Sequence, residues 1–138
     1  MNCKQTFKLT LNPVKGVDFP KKFGYSGDWK FTGKEITEKQ TKAFKLVEVG
    51  YQPDFESLKK ELEKHGTIPQ GQWIMAFKEK YPKGIGEWVG IADSSWVDPG
   101  RDVYFPFVFT DVDLSFGWTG SDFDADWRWL VEVQASEL

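Results

Sequence analysis

The sequence predicts an α+β domain: a mostly antiparallel, twisted sheet of about five to seven strands packed on two consecutive helices, near residues 53–65 and 69–81, both on one face of the sheet. Three observations carry this. Apolar residues alternate with period two before residue 50 and again after residue 87, and two segments between them keep the helical period. No linker, internal repeat or low-complexity tract divides residues 1–138, so they are expected to form a single domain.

Phe7, Leu9 and Leu11 alternate with Lys8 and Thr10, the pattern of a strand with one wet face, and Asn12-Pro13 stops it. Residues 13–34 carry Gly16, Gly24, Gly27 and Gly33 among Phe19, Phe23, Tyr25, Trp29 and Phe31, too glycine-rich for a helix and too aromatic for a solvated linker. A packed loop with a short strand near Trp29–Thr32 is expected. Lys42–Val49 reads as the next strand, with Phe44 and Leu46 on one face, Ala43, Val47 and Val49 on the other, and Gly50 as its end.

The helical segments carry end signals. Pro53 suits a first turn, Asp54 and Glu56 complement a helix N-terminus, and Phe55, Leu58 and Leu62 recur at i, i+3 and i+7. Lys64 and His65 stand at the negative end, before Gly66 as the C-terminal stop. The second helix begins near Pro69 or Gln70, sets Trp73, Ile74, Phe77 and Tyr81 on one face, and closes at Pro82.

Trp88–Ala92, Val103–Phe109, Leu114–Trp118 and Asp126–Val133 are four further strands, punctuated by Asp98-Pro99-Gly100, Asp111–Asp113 and Gly120–Asp124. They read as an antiparallel meander. In the last, Trp127, Trp129, Val131 and Val133 share one face while Arg128 and Glu132 flank Leu130 on the other. Pro106 has no ladder donor, so its strand is expected at an edge or with a bulge.

With 40% apolar residues, 28% charged residues and a net charge of −3, the 138-residue chain is neither disordered nor fibrous. A folded chain of this size buries about 70% of the surface its unfolded form exposes, so it requires no metal or disulfide staple. Cys3 is the single cysteine, which excludes an intramolecular disulfide and a cysteine-built zinc site and points to a reducing, cytoplasmic setting. No stretch approaches the roughly 20 apolar residues of a membrane helix, and no signal-peptide core follows Met1, so a membrane is not an expected partner. Charge is lopsided: the 16 lysines all lie between Lys4 and Lys83, which leaves residues 1–86 at a formal +6, whereas from Glu87 onward 11 acidic residues face Arg101 and Arg128, a formal −9. Dispersed lysines, two arginines and a negative total argue against nucleic acid as a partner.

Little in the sequence points to catalysis. His65 is the only histidine and completes a helix end, so neither a nucleophilic triad nor a histidine metal site is expected. Gly84-Ile85-Gly86 precedes a strand instead of opening a helix and reads as a turn, so no cofactor is expected. Asp111, Asp113 and Ser115 imitate the start of a calcium loop and Asp122, Asp124 and Asp126 alternate, but helical flanks are missing and both runs read as solvated turns with Asx-type hydrogen bonds. No metal site is assigned. Asp93 follows a strand and precedes Ser94, Ser95 and Trp96; it is a candidate general acid, although a turn explains the same letters.

The chain holds 7 Trp, 12 Phe and 4 Tyr. Phe7, Phe44, Phe55, Phe77 and Trp73 stand at periodic core positions, whereas Tyr25, Trp29, Trp88, Trp96, Phe116 and Trp118 fall in less periodic segments and form a surplus. Rings beside acidic residues suit apolar or cationic ligands and protein interfaces. The reading that follows is a non-catalytic binding domain with an aromatic-lined cleft for a small apolar or cationic ligand or a protein partner, with Trp88, Asp93, Trp96 and Trp118 as its site. The alternatives are a small enzyme using Asp carboxylates as general acid and base, and an acidic inhibitor or immunity-type protein with a basic partner. Open sheet edges add a homodimer as a further expectation.

Overall fold

The computed structural model describes residues 5–109 and 114–134. Among these, eight strands join one sheet: β1 (Thr6–Leu11), β2 (Lys30–Phe31), β3 (Gln40–Val47), β4 (Trp88–Gly90), β5 (Trp96–Val97), β6 (Val103–Val108), β7 (Leu114–Trp118) and β8 (Trp127–Val133). The helices are α1 (Phe19–Lys22), α2 (Phe55–Glu63) and α3 (Trp73–Lys80). The α+β class is as the sequence predicts, and β5 is the strand it did not announce. The expected turn at Asp111–Asp113 lies outside the described residues.

The strands lie in the order β1-β3-β8-β4-β6-β5-β2, with β7 paired to β6. The pairings are antiparallel except that of β4 with β8, where Trp88 stands against Trp127 and Gly90 against Trp129. The C-terminal strands therefore do not form a meander, because β8 inserts between β3 and β4. Its residues suit a central position, since Trp129 and Val131 are buried on one face and Leu130 on the other.

β7 lines one side of β6 from Tyr104 to Val108, so β4 and β5 share the other side, one at each end. Between them Ile91–Ser95 leaves the ladder, and the Ile91 N–H donates to the Pro106 carbonyl at 3.1 Å. Pro106 thus sits in an interior strand, not at an edge. Its nitrogen faces the break between β4 and β5, where a ladder donor is not required.

The two long helices cover opposite faces of the sheet, contrary to the expected single face. On the first face, α3 sets Trp73, Ile74 and Phe77 against Phe7, Phe44 and Leu46, while Phe19 and Phe23 pack on Trp96 and Phe116. On the second, α2 sets Phe55, Leu58 and Leu62 among Ala43, Val47, Phe105 and Val131. An amphipathic period specifies which stripe of a helix is buried, but not the side of the sheet that buries it.

The connection between these helices crosses the sheet plane in the opening beyond β4. There Thr67 and Glu132 exchange backbone hydrogen bonds of 2.9 and 2.8 Å, on the side of β8 that β4 has vacated. A Cβ on Gly66 would stand under 3.0 Å from the Glu132 carbonyl oxygen. Gly66 has no positive φ, so it permits a close backbone approach and is not the left-handed helix stop the sequence suggested. At the other end of α2 the cap is Asp54, whose Oδ1 accepts the Ser57 N–H at 2.7 Å, which leaves Pro53 outside the first turn.

Candidate functional site

Asp93 lies in the segment that leaves the ladder after β4. Its Oδ2 accepts the Gly71 N–H at 2.6 Å and its Oδ1 accepts the Ser95 hydroxyl. Gly71 belongs to the turn that leads into α3, with the Ile74 N–H donating to its carbonyl, so the carboxylate ties the helix connection to the strand segment. Beside it is an open cleft of about 410 Å³ whose lining includes Lys34, Lys59, Glu63, Gln70 and Ser94. Among the described residues no aromatic ring lines this cleft.

Trp96 opens β5 where the sequence suggested a continuing turn. It is 0% exposed, stacks on Phe19 at 5.4 Å and 12°, and lies 5.0 Å from Phe31. Its Nε1–H donates to the Gly16 carbonyl at 2.8 Å, so the one polar atom of the ring is also satisfied within the core.

Trp118 ends β7 and is 52% exposed. Its register partner is Tyr104, which places it on the first face, the side of Phe116 and α3. Tyr104 donates its hydroxyl to Asp98 Oδ2 at 3.2 Å; burial, then this bond and the nearby Asp98 and Asp102 charges, raise its pKa above the usual phenol value.

Trp88 belongs to the second face. It is 39% exposed, stacks on Phe107 at 5.8 Å and 9°, and meets the edges of Phe109 at 4.4 Å and Trp127 at 5.2 Å. Strand pairing explains the meeting: parallel register sets Trp88 opposite Trp127, and antiparallel register brings Phe107 alongside β4. The rings continue inward through Phe105, Phe123 and Trp129 to Phe55 on α2. Behind them, on the reverse face, the Arg128 guanidinium pairs with Glu48 at 2.8 Å and Glu87 at 3.6 Å, tying β8 to the segments beside it.

The loop between β7 and β8 folds over the second face. Phe123 is buried there, and its backbone exchanges hydrogen bonds of 2.8 and 2.9 Å with Gln52. The exposed Tyr51 hydroxyl donates to Asp122 Oδ2 at 3.2 Å, which raises the Tyr51 pKa. Asp124 Oδ1 accepts the Asp126 N–H at 2.9 Å, an Asx-type turn of the kind the sequence predicts. Asp122, Asp124 and Asp126 are all exposed on the loop that carries Phe123, whose ring lies 6.5 Å from that of Trp127.

The four residues singled out in the sequence therefore do not line one cleft. Trp88 and Trp118 stand on opposite faces, Trp96 is core, and Asp93 belongs to a polar recess. Phe107, Phe109 and Trp127 are the ring partners that the sequence reading missed. Their signal was present in the spacing, because Phe105, Phe107 and Phe109 share one parity and so do Trp127 and Trp129.

Fold and site together define a small α+β protein with clustered aromatic side chains. Among the described residues no helix is long and apolar enough to cross a membrane. No protein-family model matches the chain, and comparison with curated proteins and with solved structures gave no match.

Proposed function

We propose that this protein is a non-catalytic binding domain that docks a protein partner on the ring patch centred on Trp88. The observation that carries the reading is the state of Trp88 itself, which keeps 39% of its surface exposed while three rings fix its orientation. A ring held this way has little freedom left to lose on binding, and such residues contribute much of the energy of interfaces. Phe109 and Trp127 beside it are half-buried, so the rings together present an aromatic surface of the kind found at the centre of protein interfaces. The engagement of both Asp93 oxygens by Gly71 and Ser95 favours a binding role over acid–base catalysis.

A photo-crosslinking residue in place of Phe109, with a second at Lys8 on the exposed side of β1 as comparison, tests this in cells of the source organism. The expected result is a discrete crosslinked product from position 109 that is lost with Trp88→Ala and kept with Trp88→Phe. The same product from position 8, or one indifferent to Trp88→Ala, refutes the reading.

A further inference from the structure

The patch at Trp88 also carries information about the chemistry of its partner. Resting on the docking role proposed above, we infer that the partner presents a basic amphipathic segment, with an apolar side chain on Trp88 and lysine or arginine side chains toward Asp122, Asp124 and Asp126. The rings of the exposed end, Trp88, Phe107, Phe109 and Trp127, all come from the part of the chain that is formally −9. The loop carrying the three exposed aspartates is anchored in the same cluster, since Phe123 lies 6.5 Å from Trp127 and 5.6 Å from Phe105.

Among the described residues neither cation of this segment forms an ion pair with Asp122, Asp124 or Asp126. Arg128 is turned to the reverse face, where its carboxylate partners are Glu48 and Glu87 and its Nη1 donates to the Asp126 and Trp127 carbonyls at 3.3 and 3.4 Å, and Arg101 belongs to the turn after β5 at the far end of β6. At the opposite end of the ring cluster, Lys59 lies 5.9 Å from the Phe55 ring, so the cluster already accepts a cation where the chain supplies one. Among the described residues no lysine or arginine is recorded over Trp88, Phe109 or Trp127. Carboxylates around an apolar centre steer a cationic partner into contact and repel an anionic one.

The test uses the full chain and two designed helical peptides of equal length, one of leucine and lysine, the other of leucine and glutamate, titrated by calorimetry at low and high salt. The leucine-lysine peptide is expected to bind and the leucine-glutamate peptide to fail. Trp88→Ala is expected to weaken binding at least about tenfold, and Trp88→Phe to retain most of it. Asp122→Lys combined with Asp126→Lys is expected to weaken it several-fold and to flatten its salt dependence. Equal binding of both peptides, each lost with Trp88→Ala, overturns the basic partner and leaves the docking patch standing. Lysine-peptide binding that ignores Trp88→Ala in a variant with native circular dichroism overturns both. Concentration-dependent dimerisation of the wild type, abolished by Trp88→Ala, identifies a second copy as the occupant and overturns the inference.

Discussion

Gly66→Ala tests the crossing of the sheet by the helix connection. A Cβ at Gly66 would lie 3.3 Å from the Glu132 carbonyl carbon, 3.4 Å from Val131 Cγ2 and closer still to the Glu132 oxygen. That oxygen belongs to the central strand and cannot swing aside as a flexible side chain would. Relief requires residues 66 and 67 to withdraw from β8, which stretches the pair of Thr67–Glu132 hydrogen bonds. Overpacking of this kind costs about 1–3 kcal/mol, and each of the two weakened hydrogen bonds about 0.5 kcal/mol, so the total is about 2–4 kcal/mol. At an unfolding entropy of about 2.1 cal/mol/K per residue, this corresponds to a fall in Tm of roughly 7–14 °C for a chain of 138 residues. Urea unfolding followed by circular dichroism measures the change, with an unaltered m-value showing that the folded state is otherwise kept. Gly66→Asn separates the two roles of the glycine. Asn tolerates a left-handed helix stop but not a backbone contact, so it is expected to be at least as damaging as Ala. A cost below about 0.5 kcal/mol for Ala, or clear rescue by Asn, refutes the crossing geometry.

Trp96→Ala is expected to destabilise by about 3–5 kcal/mol in urea unfolding, because the ring is fully buried between Phe19 and Phe31; Trp96→Phe is expected to cost less, through the unpaired Gly16 carbonyl and the smaller ring. Asp93→Ala is expected to cost about 1.5–3 kcal/mol through loss of the Gly71 and Ser95 bonds, while leaving Trp88-dependent crosslinking unchanged; a loss of crosslinking with stability retained would instead give Asp93 a role in binding. The Ser57 N–H, then the Ser57 side chain and Lys60, hold the Asp54 carboxyl below its usual 3.8. Because the folded-state value is depressed, the cap contributes above the unfolded value and is lost as pH falls through the folded one. The stability difference between wild type and Asp54→Ala, read as a urea midpoint, should therefore be constant near neutrality and close below about pH 4.

Local chemistry made much of the fold legible. Phe7, Leu9 and Leu11 announce β1, and Phe55, Leu58 and Leu62 announce α2, because each strand or helix must bury one stripe whatever lies across from it. The placement of α2 and α3 on opposite faces was not legible, since it depends on where the connection passes, and that route exists only once β4 stops short of the end of β8. β5 was missed because two residues are too few to show a period, and with it the buried position of Trp96. The same limit applies to the site. Spacing identified Trp88 and Trp118 as rings in need of an explanation, but the parallel pairing of β4 with β8, which brings Trp88 to Trp127, is a long-range event without a local signature, and Trp118 takes the other face through the register of β7 on β6. Asp93 was legible as a turn residue, and its reach to Gly71, 22 positions away, was not.

The central place of β8 has a consequence for how the fold is reached during synthesis. β8 is the last of the eight strands to leave the ribosome, yet it lies between β3 and β4, and Thr67 of the helix connection pairs with it. Until it arrives, β3 has one unpaired flank, α2 lacks Val131 and Trp129 beneath it, and the opening through which the connection passes has only one wall. The nascent chain therefore holds its two helices without a finished sheet to separate them, and final closure waits on contacts between residues more than 80 positions apart, such as those of β3 with β8. Folding dominated by such late, distant pairings is slow, and the interval before closure is the period in which the unpaired flank of β3 is open to other chains.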